Sequence, residues 1–422
     1  MENLHVYGEN GAYISQFFCK KHFFPCVSTA QALDIVYMWR YNRTTTIRGS
    51  FAPEFAENRT LMEDKIMYDI PVTLTTNPKK KPEDESKLGF GKIFTDHMFI
   101  MDYEQGRGWH DARVVPYGPF VMDPACTVFH YAQEIFEGMK CYRRKDGGLN
   151  LFRPRDNFAR MNRSAERMGM PKIDVEEAMA GLTALLKADA DWVPSAPGTS
   201  LYIRPTMIST DVMLGVHASH TYRFFIICSP SGAYYAKGLA PVGIYVEPEL
   251  VRAVKGGVGF TKTGGNYAAS ILAGDIAEKK GYEQVLWLDG KENKYIEEVG
   301  SMNMFFKFKD ALVTPPLLGS ILGGITRDSI IKLAKHKGIP VDERRITVQD
   351  VFDAADNGTL EEAFGSGTAA VVSPVGRLAW KDREISISGG QIGKLTQDFY
   401  DTLTGIQYGE REDPFGWVVK LS

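Results

Sequence analysis

The chain has 422 residues, which is enough for two or three domains whose cores need no stabilising disulfides. Its 49 basic and 52 acidic residues give a net charge of -3, a balance that does not favour a nucleic-acid-binding protein. No apolar run approaches the roughly 20 residues of a membrane-spanning helix, and the composition excludes disorder, collagen and coiled coil for most of the chain.

Cysteine and histidine usage indicates the compartment and the kind of site to expect. The five cysteines form no C-x-x-C pair, which favours free thiols in a reducing compartment. Among the eight histidines, only His217 and His220 form a close pair, and we find no carboxylate or cysteine ligand set with them. We therefore expect no metal site.

The first 66 residues differ in composition from the rest, being rich in aromatic residues and threonine. We interpret residues 1–66 as an N-terminal extension of unknown role. It is either an added segment or a stretch ahead of a functional start near Met67, with a poor organelle presequence as the remaining alternative. Residues 77–87 are polar and rich in proline and lysine, which predicts an exposed linker.

From Phe90 onward the pattern indicates an α+β fold. The elements predicted for the first half are a hairpin over 96–115, helices over 155–170 and 176–189, and strands over 200–208 and 222–228. Pro171 is expected to end the first of these helices. The turn-forming stretch 229–241 predicts a hinge between two domains.

In the second half of the chain, glycine-rich loops alternate with helices and strands. Its predicted elements are a glycine-dense loop over 256–267, a helix over 267–281, strands over 284–290, 293–300 and 302–308, a loop and helix over 323–338, a turn and strand over 364–375, and an amphipathic helix over 395–409.

Two loops resemble phosphate-binding loops. Residues Gly256–Thr263 nearly match G-x-x-x-x-G-K-[ST], but Thr261 replaces the glycine before the lysine. In GGITRDS, the helix start near Thr326 would aim free N–H groups at an anion, although an ordinary helix start gives the same pattern. GSGTAA offers the Thr368 hydroxyl and glycine N–H groups, or is only a tight turn before a strand.

Two further side chains are candidates for chemistry. Lys262 is surrounded by glycines, so a partly desolvated amine there would attack carbonyl carbons; a surface lysine in a flexible loop is the alternative. Of the adjacent Glu297 and Glu298, one would face inward from a strand, unless both lie in a surface loop.

Taken together and in order, these segments resemble the branched-chain amino-acid aminotransferases, pyridoxal-phosphate enzymes of the class IV aminotransferase family. The resemblance runs from about Tyr68 to Trp417. It is carried by nine motifs: FGKIFTDHM, HYAQEIFEGMK, LFRP, LYIRP, GGNYAAS, YIEEVGSMN, GGITRDS, FGSGTAA and LTGIQYG.

The resemblance implies an α+β, two-domain fold of the class IV (fold type IV) pyridoxal-phosphate enzymes. A smaller N-terminal α/β domain would span residues 67–232, an interdomain loop residues 233–242, and a larger domain with the cofactor lysine residues 243–422. A homodimer is implied as well.

The resemblance also implies roles for individual residues. Lys262 would form the Schiff base with pyridoxal 5′-phosphate and move the proton at the substrate Cα. Glu298 would pair with the pyridine nitrogen, and Tyr267 with the phenolic oxygen. The phosphate would be bound by Arg153, Ile325, Thr326 and Thr368.

The substrate pocket implied by the family is largely aromatic, which favours branched aliphatic side chains by burial. Arg204 would receive the distal carboxylate of glutamate. The expected substrate-binding residues are Phe90, Tyr131, Phe136, Tyr202, Arg204, Ser301, Thr368 and Ala369. Plain core packing is the alternative for the aromatic residues.

The implied activity is reversible ping-pong transfer of the amino group of L-leucine, L-isoleucine or L-valine to 2-oxoglutarate. Alternatives of the same fold are a D-amino-acid aminotransferase and an aminodeoxychorismate lyase. A nucleotide-binding protein that uses the Gly256–Thr263 loop and a non-catalytic cofactor store are alternatives of other classes. No nucleic acid, membrane or metal partner is expected.

Two departures from mammalian relatives point to a bacterial-like member. Ala370 and Ser373 stand where those relatives carry a C-x-x-C pair, so that thiol switch cannot operate, and Ser301 replaces a threonine. We therefore expect a cytoplasmic enzyme.

Overall fold

The computed structural model describes residues 68–232 and 239–421. They belong to one compact unit, Met67–Ser422. The predicted extension 1–66 and most of the predicted interdomain loop 233–242 lie outside the described residues, so both stay predictions. Within the described ranges, no helix combines the length and apolar character needed to cross a bilayer.

An eight-stranded antiparallel sheet forms the first half of the fold. Its strands are β1 (His97–Glu104), β2 (Gly108–Pro116), β3 (Glu134–Phe136), β4 (Met139–Arg143), β5 (Leu149–Phe152), β6 (Ser200–Ser209), β7 (Thr221–Ser231) and β17 (Val418–Leu421). The order is β17-β5-β4-β6-β7-β1-β2, with β3 paired to β6. The predicted hairpin over 96–115 and both predicted strands are confirmed.

Three helices accompany this sheet: α1 (Thr127–Tyr131), α2 (Pro154–Met168) and α3 (Val175–Ala188). Proline at the first position of α2 suits a helix start, where its missing N–H costs nothing. The helix ends at Gly169, whose φ of +66° is a left-handed conformation that glycine adopts readily, so Pro171 is not the residue that ends it. Phe158 and Leu182 bury against Phe99 and Phe224 of the sheet.

The second half is a nine-stranded sheet. Its strands are β8 (Val242–Val246), β9 (Gln284–Leu288), β10 (Ile296–Val299), β11 (Met302–Phe308), β12 (Leu312–Thr314), β13 (Val341–Glu343), β14 (Leu360–Gly367), β15 (Val371–Trp380) and β16 (Arg383–Ser386). Because β10 pairs with both β9 and β11, strands β8, β9, β10, β11, β14 and β15 close into a ring. We call this ring the barrel.

Five helices surround the barrel: α4 (Gly264–Ala268), α5 (Ile271–Lys279), α6 (Ile325–His336), α7 (Val348–Asp356) and α8 (Lys394–Tyr408). Single 3-10 turns lie at Glu85–Lys87, Ala190–Trp192 and Ser388–Gly390. The helix predicted over 267–281 is wrong in one respect, because the chain breaks it at 269–270 into α4 and α5. The predicted buried face of α8 is confirmed for Phe399, Leu403 and Ile406.

A shared core joins the two halves. Phe152 lies at the end of β5 and Trp417 just before β17, two strands of the first sheet. They pack in one cluster with Phe364 of β14 and Phe399 of α8. The chain also returns at its end, since β17 pairs with β5 of the first sheet. The last strand thus lies outside the larger domain predicted over 243–422.

Candidate active site

A cavity of about 340 Å³ lies between the first sheet and the barrel. Twelve of the fourteen residues predicted for the site line it: Phe90, Phe136, Tyr202, Arg204, Lys262, Tyr267, Glu298, Ser301, Ile325, Thr326, Thr368 and Ala369. We call Lys262, Tyr267 and Glu298 the barrel wall, and Phe90, Phe136, Tyr202 and Arg204 the sheet wall. The volume is that of a small-molecule site.

Lys262 lies in the cavity with its amine against aromatic groups. Its Nζ donates a hydrogen bond to the Tyr267 hydroxyl at 2.6 Å and lies 4.6 Å from the centre of the Phe136 ring. Loss of water around the amine, reinforced by the positive charge of Arg160, lowers the pKa of Lys262 to about 8. Roughly one amine in ten is then neutral near pH 7, and the neutral form attacks carbonyl carbons.

The backbone of Lys262 is held from two sides. Its N–H donates to Ser164 Oγ in α2 at 3.0 Å, and its carbonyl accepts from the Phe136 N–H in β3 at 3.0 Å. Asn266 Nδ2 donates to two carbonyls of the preceding turn, each at 2.9 Å. The glycine-dense loop therefore presents its lysine in a supported position.

Tyr267 lies in α4, five residues after the lysine. Burial, together with the negative charge of Glu298, raises the pKa of Tyr267 to about 12. The hydroxyl stays protonated at neutral pH, so it can accept from Lys262 and still donate to an oxygen of a ligand.

Glu298 faces the cavity from β10, whereas Glu297 lines a separate pocket on the other side of the strand. This is the alternation expected for neighbours in a strand. Burial raises the pKa of Glu298 to about 7, and its ion pair with Arg252 opposes that rise. Asn303 Nδ2 also donates to Glu298 Oε1 at 3.2 Å.

The opposite end of the cavity is suited to an anion. Helix α6 begins there, with Gly324, Ile325 and Thr326 on the cavity surface and no side chain capping its first N–H groups. These free N–H groups and the positive end of the helix dipole attract phosphate-sized anions. A Cβ at Gly324 would overlap Asn303 Oδ1, so this close approach requires glycine.

The prediction that Arg153 lies at this anion end is wrong. Its guanidinium pairs with Asp156 and Asp328, each at 2.7 Å, and donates to Ser329 Oγ at 2.8 Å. It does not line the cavity. Arg153 instead ties the start of α2 to α6, because two carboxylates beside it satisfy its charge.

Arg160, which the sequence analysis did not select, lies at the cavity instead. Both oxygens of buried Glu137 accept from it at 2.8 Å, and its remaining Nη1 donates to the Gly323 carbonyl at 3.2 Å. Arg153 and Arg160 are seven residues apart, so they share one face of α2 about two turns from each other. The sequence signal was therefore present, but it did not tell the two arginines apart.

The sheet wall combines aromatic rings with one guanidinium. The Phe90 and Tyr202 rings meet edge to face at 4.8 Å, and Arg204 lies 4.7 Å from the Phe136 ring centre. Arg204 Nη2 donates to the Tyr202 hydroxyl at 3.1 Å, while its buried Nε has no hydrogen-bond partner in residues 68–232 and 239–421. A donor left open in this way is available to a ligand oxygen.

Tyr131 does not line the cavity, contrary to the prediction. It ends the short helix α1, it is 39% exposed, and its hydroxyl contacts the Leu214 carbonyl. Large apolar side chains exposed in the same region are Phe129, Val212, Met213, Leu214 and Val216. The prediction placed Tyr131 by its motif alone, which carries no information about which cavity a surface residue reaches.

Lys140 was not predicted as a site residue, although it is the last residue of the HYAQEIFEGMK motif. Buried Lys140 donates from Nζ to the Ala369 carbonyl at 2.7 Å, and the loss of water around it lowers its pKa to about 8. It thereby holds the turn that brings Thr368 and Ala369 to the cavity. Arg252 and Asn303 were missed in the same way, because only the folded chain brings them to Glu298.

Comparisons with known proteins agree with this geometry. The family described as Amino-transferase class IV matches residues 134–378. The chain is 55% identical over 353 residues to branched-chain-amino-acid aminotransferase 2 of Bacillus subtilis (strain 168), covering 84% of this chain and 97% of that protein. It is 56% identical over 342 residues to a probable branched-chain-amino-acid aminotransferase of Staphylococcus aureus (strain N315), covering 81% and 95%.

Solved structures resemble the fold as well. The branched-chain amino acid aminotransferase of Escherichia coli superposes with a TM-score of 0.65 at 30% identity, over 77% of this chain and 99% of that chain. The branched-chain aminotransferase of the thermophilic archaeon Thermoproteus uzoniensis, solved with norvaline, gives 0.63 at 25% identity, over 77% and 100%. A lysine, a tyrosine, a glutamate and a helix start around one cavity, on a chain that matches these proteins over nearly their whole length, place it in the branched-chain-amino-acid aminotransferases of the class IV aminotransferase family.

Proposed function

We propose that this protein catalyses the reversible transfer of the amino group of L-leucine, L-isoleucine or L-valine to 2-oxoglutarate, giving the branched-chain 2-oxo acid and L-glutamate. The observation that carries the proposal is the Lys262 amine, with its lowered pKa and its 2.6 Å contact to Tyr267, in one cavity with Glu298 and the α6 start. Relatives that are 55% and 56% identical are named a branched-chain-amino-acid aminotransferase and a probable branched-chain-amino-acid aminotransferase.

The residues around the cavity fit pyridoxal 5′-phosphate. The uncapped start of α6 and Arg160 offer donors for its phosphate, and Glu298 offers a carboxylate for its ring nitrogen. The glycine at 324, where a Cβ would overlap Asn303, lets the Asn303 side chain pack against the start of α6. When bound, the cofactor supplies an aldehyde for amine exchange and a ring that takes up the electron pair left at the substrate Cα.

The roles of this chain's residues follow from their positions. Lys262 would hold the cofactor and then, as a free amine, carry the proton between the substrate Cα and the cofactor. Tyr267 lies at hydrogen-bond distance from the amine and would keep it oriented. Arg252 and Asn303 would hold Glu298 in place, and the charge of Arg252 would favour its ionised form against the effect of burial.

The sheet wall would allow one pocket to accept two kinds of substrate. Rings of Phe90, Phe136 and Tyr202 offer apolar area for branched side chains, worth about 0.8 kcal/mol per buried CH₂. Arg204 would take the distal carboxylate of glutamate or 2-oxoglutarate, since its Nε lacks a hydrogen-bond partner among the described residues. Thr368, Ala369 and Ser301 would bind near the reacting carbon.

We further propose a homodimer formed through the exposed apolar residues beside Tyr131. Val216 is 81% exposed and Leu214 is 64% exposed, on a loop that Tyr131 contacts. Packing of this surface against a second copy would bury them. Sedimentation velocity tests this, with Val216→Glu expected to shift the protein toward the monomer and the exposed Val72→Glu as the control. A monomeric wild-type protein would contradict the dimer.

A cytoplasmic location is part of the proposal. Cys126, Cys141 and Cys228 are buried and form no disulfide among the described residues, as expected in a reducing compartment.

The visible spectrum of the purified protein tests the activity. We expect a yellow chromophore that bleaches with L-leucine and returns with 2-oxoglutarate, which reports both half-reactions. A chromophore that responds to D-alanine but not to L-leucine would support a D-amino-acid aminotransferase instead. A protein with no chromophore after addition of pyridoxal phosphate would contradict the assignment of Lys262.

A further inference from the structure

Three potential metal ligands meet in the connection between β6 and β7, away from the cavity of the active site. His217 Nε2 lies 3.0 Å from Asp211 Oδ2, and His220 Nδ1 lies 3.2 Å from the same oxygen. All three ligand atoms fall within 4.8 Å of one another. The expectation that no carboxylate accompanies the histidine pair is therefore wrong, because the connection folds back and brings Asp211 to it.

Hydrogen bonding determines which nitrogen of His217 is free. Its Nδ1 lies 2.7 Å from the Gly215 carbonyl oxygen, and a carbonyl only accepts, so Nδ1 carries a proton. In the neutral ring, Nε2 then directs a lone pair at the anionic oxygen of Asp211. A proton on Nε2 or a metal ion between the two atoms would each stabilise this contact. A ring N–H bound to a backbone carbonyl is also the usual second contact of a metal-binding histidine.

A divalent ion would use both rings and the carboxylate at once. Asp211 is fixed in place, because its Oδ2 accepts from the His220 N–H at 2.7 Å and its Oδ1 accepts from the Thr221 N–H at 3.1 Å. The two imidazole ring centres lie 5.7 Å apart. One divalent ion would be shared by this carboxylate and two neutral rings.

The spacing is close to that of a tetrahedral site. Metal–ligand distances of about 2.0–2.2 Å place neighbouring ligand atoms about 3.4 Å apart. The two observed separations from Asp211 Oδ2, 3.0 and 3.2 Å, are within a few tenths of an ångström of that value. The His220 side chain is 59% exposed, so its ring is free to turn and close the remaining edge.

We propose that Asp211, His217 and His220 form a binding site for a divalent transition-metal ion of the zinc type, with water in the fourth position. Imidazole and carboxylate ligands suit this class of ion. The bound ion would join the two ends of the β6–β7 connection and would stiffen it. The site is separate from the proposed catalytic residues.

Isothermal titration of the full-length holoenzyme with ZnCl₂ tests the proposal. We expect a site with a dissociation constant of roughly micromolar or below in the wild type, weakened at least about tenfold in His217→Gln and in Asp211→Asn. His336→Gln, which removes an exposed histidine elsewhere, is the matched control and should titrate as the wild type does. Identical isotherms for the wild type and His217→Gln would overturn the proposal.

The N-terminal segment requires a further control, because Cys19, His22 and Cys26 are also potential zinc ligands. The result that counts is therefore the loss of one binding event on substitution of His217, not the total stoichiometry. A crystal soaked in ZnCl₂ should give an anomalous peak between the three side chains. The absence of a peak there at saturating zinc would contradict the site even if zinc binds elsewhere.

Discussion

The two walls of the cavity differ in how their polar groups are satisfied. In the barrel wall, Lys262 bonds to Tyr267, and Glu298 pairs with Arg252, so partners within the chain hold each group in place. In the sheet wall, Arg204 lies against aromatic rings, and within the part of the chain that the structure describes its buried Nε has no hydrogen-bond partner. Under the proposed function, the barrel wall would be preorganised for the chemistry common to all substrates, and the sheet wall would discriminate among them.

Among the predicted substitutions, removal of Lys262 from the barrel wall should reduce turnover most. We expect Lys262→Ala to bind the cofactor without a covalent link and to lose at least about 10³-fold in turnover with every substrate, since acid–base catalysis alone contributes 10²–10⁴-fold. Steady-state kinetics and the absorption spectrum measure this. Lys255→Ala, an exposed lysine near the same loop, is the control. Near-wild-type turnover in Lys262→Ala would refute the proposed mechanism.

Neutralising the carboxylate should have the next largest effect. Glu298→Gln keeps the shape and the Asn303 contact but loses the charge beside Arg252. We expect kcat to fall roughly 10²-fold, as for the loss of one preorganised electrostatic contact, with KM values for L-leucine and 2-oxoglutarate nearly unchanged. An unchanged kcat would show that Glu298 is not the partner of the cofactor ring.

Substitutions of Arg160 and Arg153 should have different effects, the first on cofactor binding and the second on the stability of the fold. Arg160→Lys should weaken cofactor binding about 10–50-fold, because a lysine cannot hold the fork contact to Glu137 and also face the cavity. Arg153→Lys should change cofactor affinity less than about twofold but lower thermal stability, because Asp328 loses part of its pairing. Equilibrium titration with pyridoxal phosphate and thermal unfolding measure the two effects. The reverse pattern would restore Arg153 as the phosphate ligand.

The sheet wall should respond selectively. We expect Arg204→Met to raise KM for 2-oxoglutarate about 10–50-fold and to change KM for L-leucine less than threefold, because only the dicarboxylate loses a charged partner. Tyr202→Phe, which removes the hydroxyl bonded to Arg204, is a milder companion variant. An equal rise in KM for both substrates would show that the sheet wall does not discriminate between them through Arg204.

The pH dependence of cofactor loading reports how strongly the barrel wall is desolvated. Since only the neutral amine reacts and the pKa of Lys262 is lowered to about 8, the loading rate of cofactor-free protein should rise about tenfold per pH unit below pH 8. Above that pH it should level off. Stopped-flow absorbance measures the rate, and an inflection near the ordinary lysine value of 10.5 would show that the cavity does not shift the amine.

Sequence patterns predicted most of the elements correctly, because each depends on local spacing. The hairpin over 96–115, helix α3 and the buried face of α8 follow from alternation or helical periodicity. The errors occurred where a local pattern is ambiguous. The helix predicted over 267–281 breaks at 269–270, although the residues on both sides are good helix formers.

The residues of the candidate site likewise fall into those that the motifs predicted and those that the motifs did not distinguish. Motifs identified Lys262, Tyr267 and Glu298, because the chemistry restricts the residue type at these positions. They did not distinguish Arg153 from Arg160 on one face of α2, since both arginines carry the same charge and geometry. What separates them is Asp328 of α6, which lies far along the chain and neutralises Arg153.

The sequence by itself determined the order of strands and helices, the residue types able to carry amino transfer, and the family they resemble. Only the tertiary structure decided which groups line one cavity and which carboxylates pair with which cationic side chains. It also decided how far burial shifts the pKa values of Lys262 and Glu298. It also brought Asp211 to His217 and His220. The physical reason is that desolvation and ion pairing depend on distances between segments remote in the chain, which local patterns do not encode.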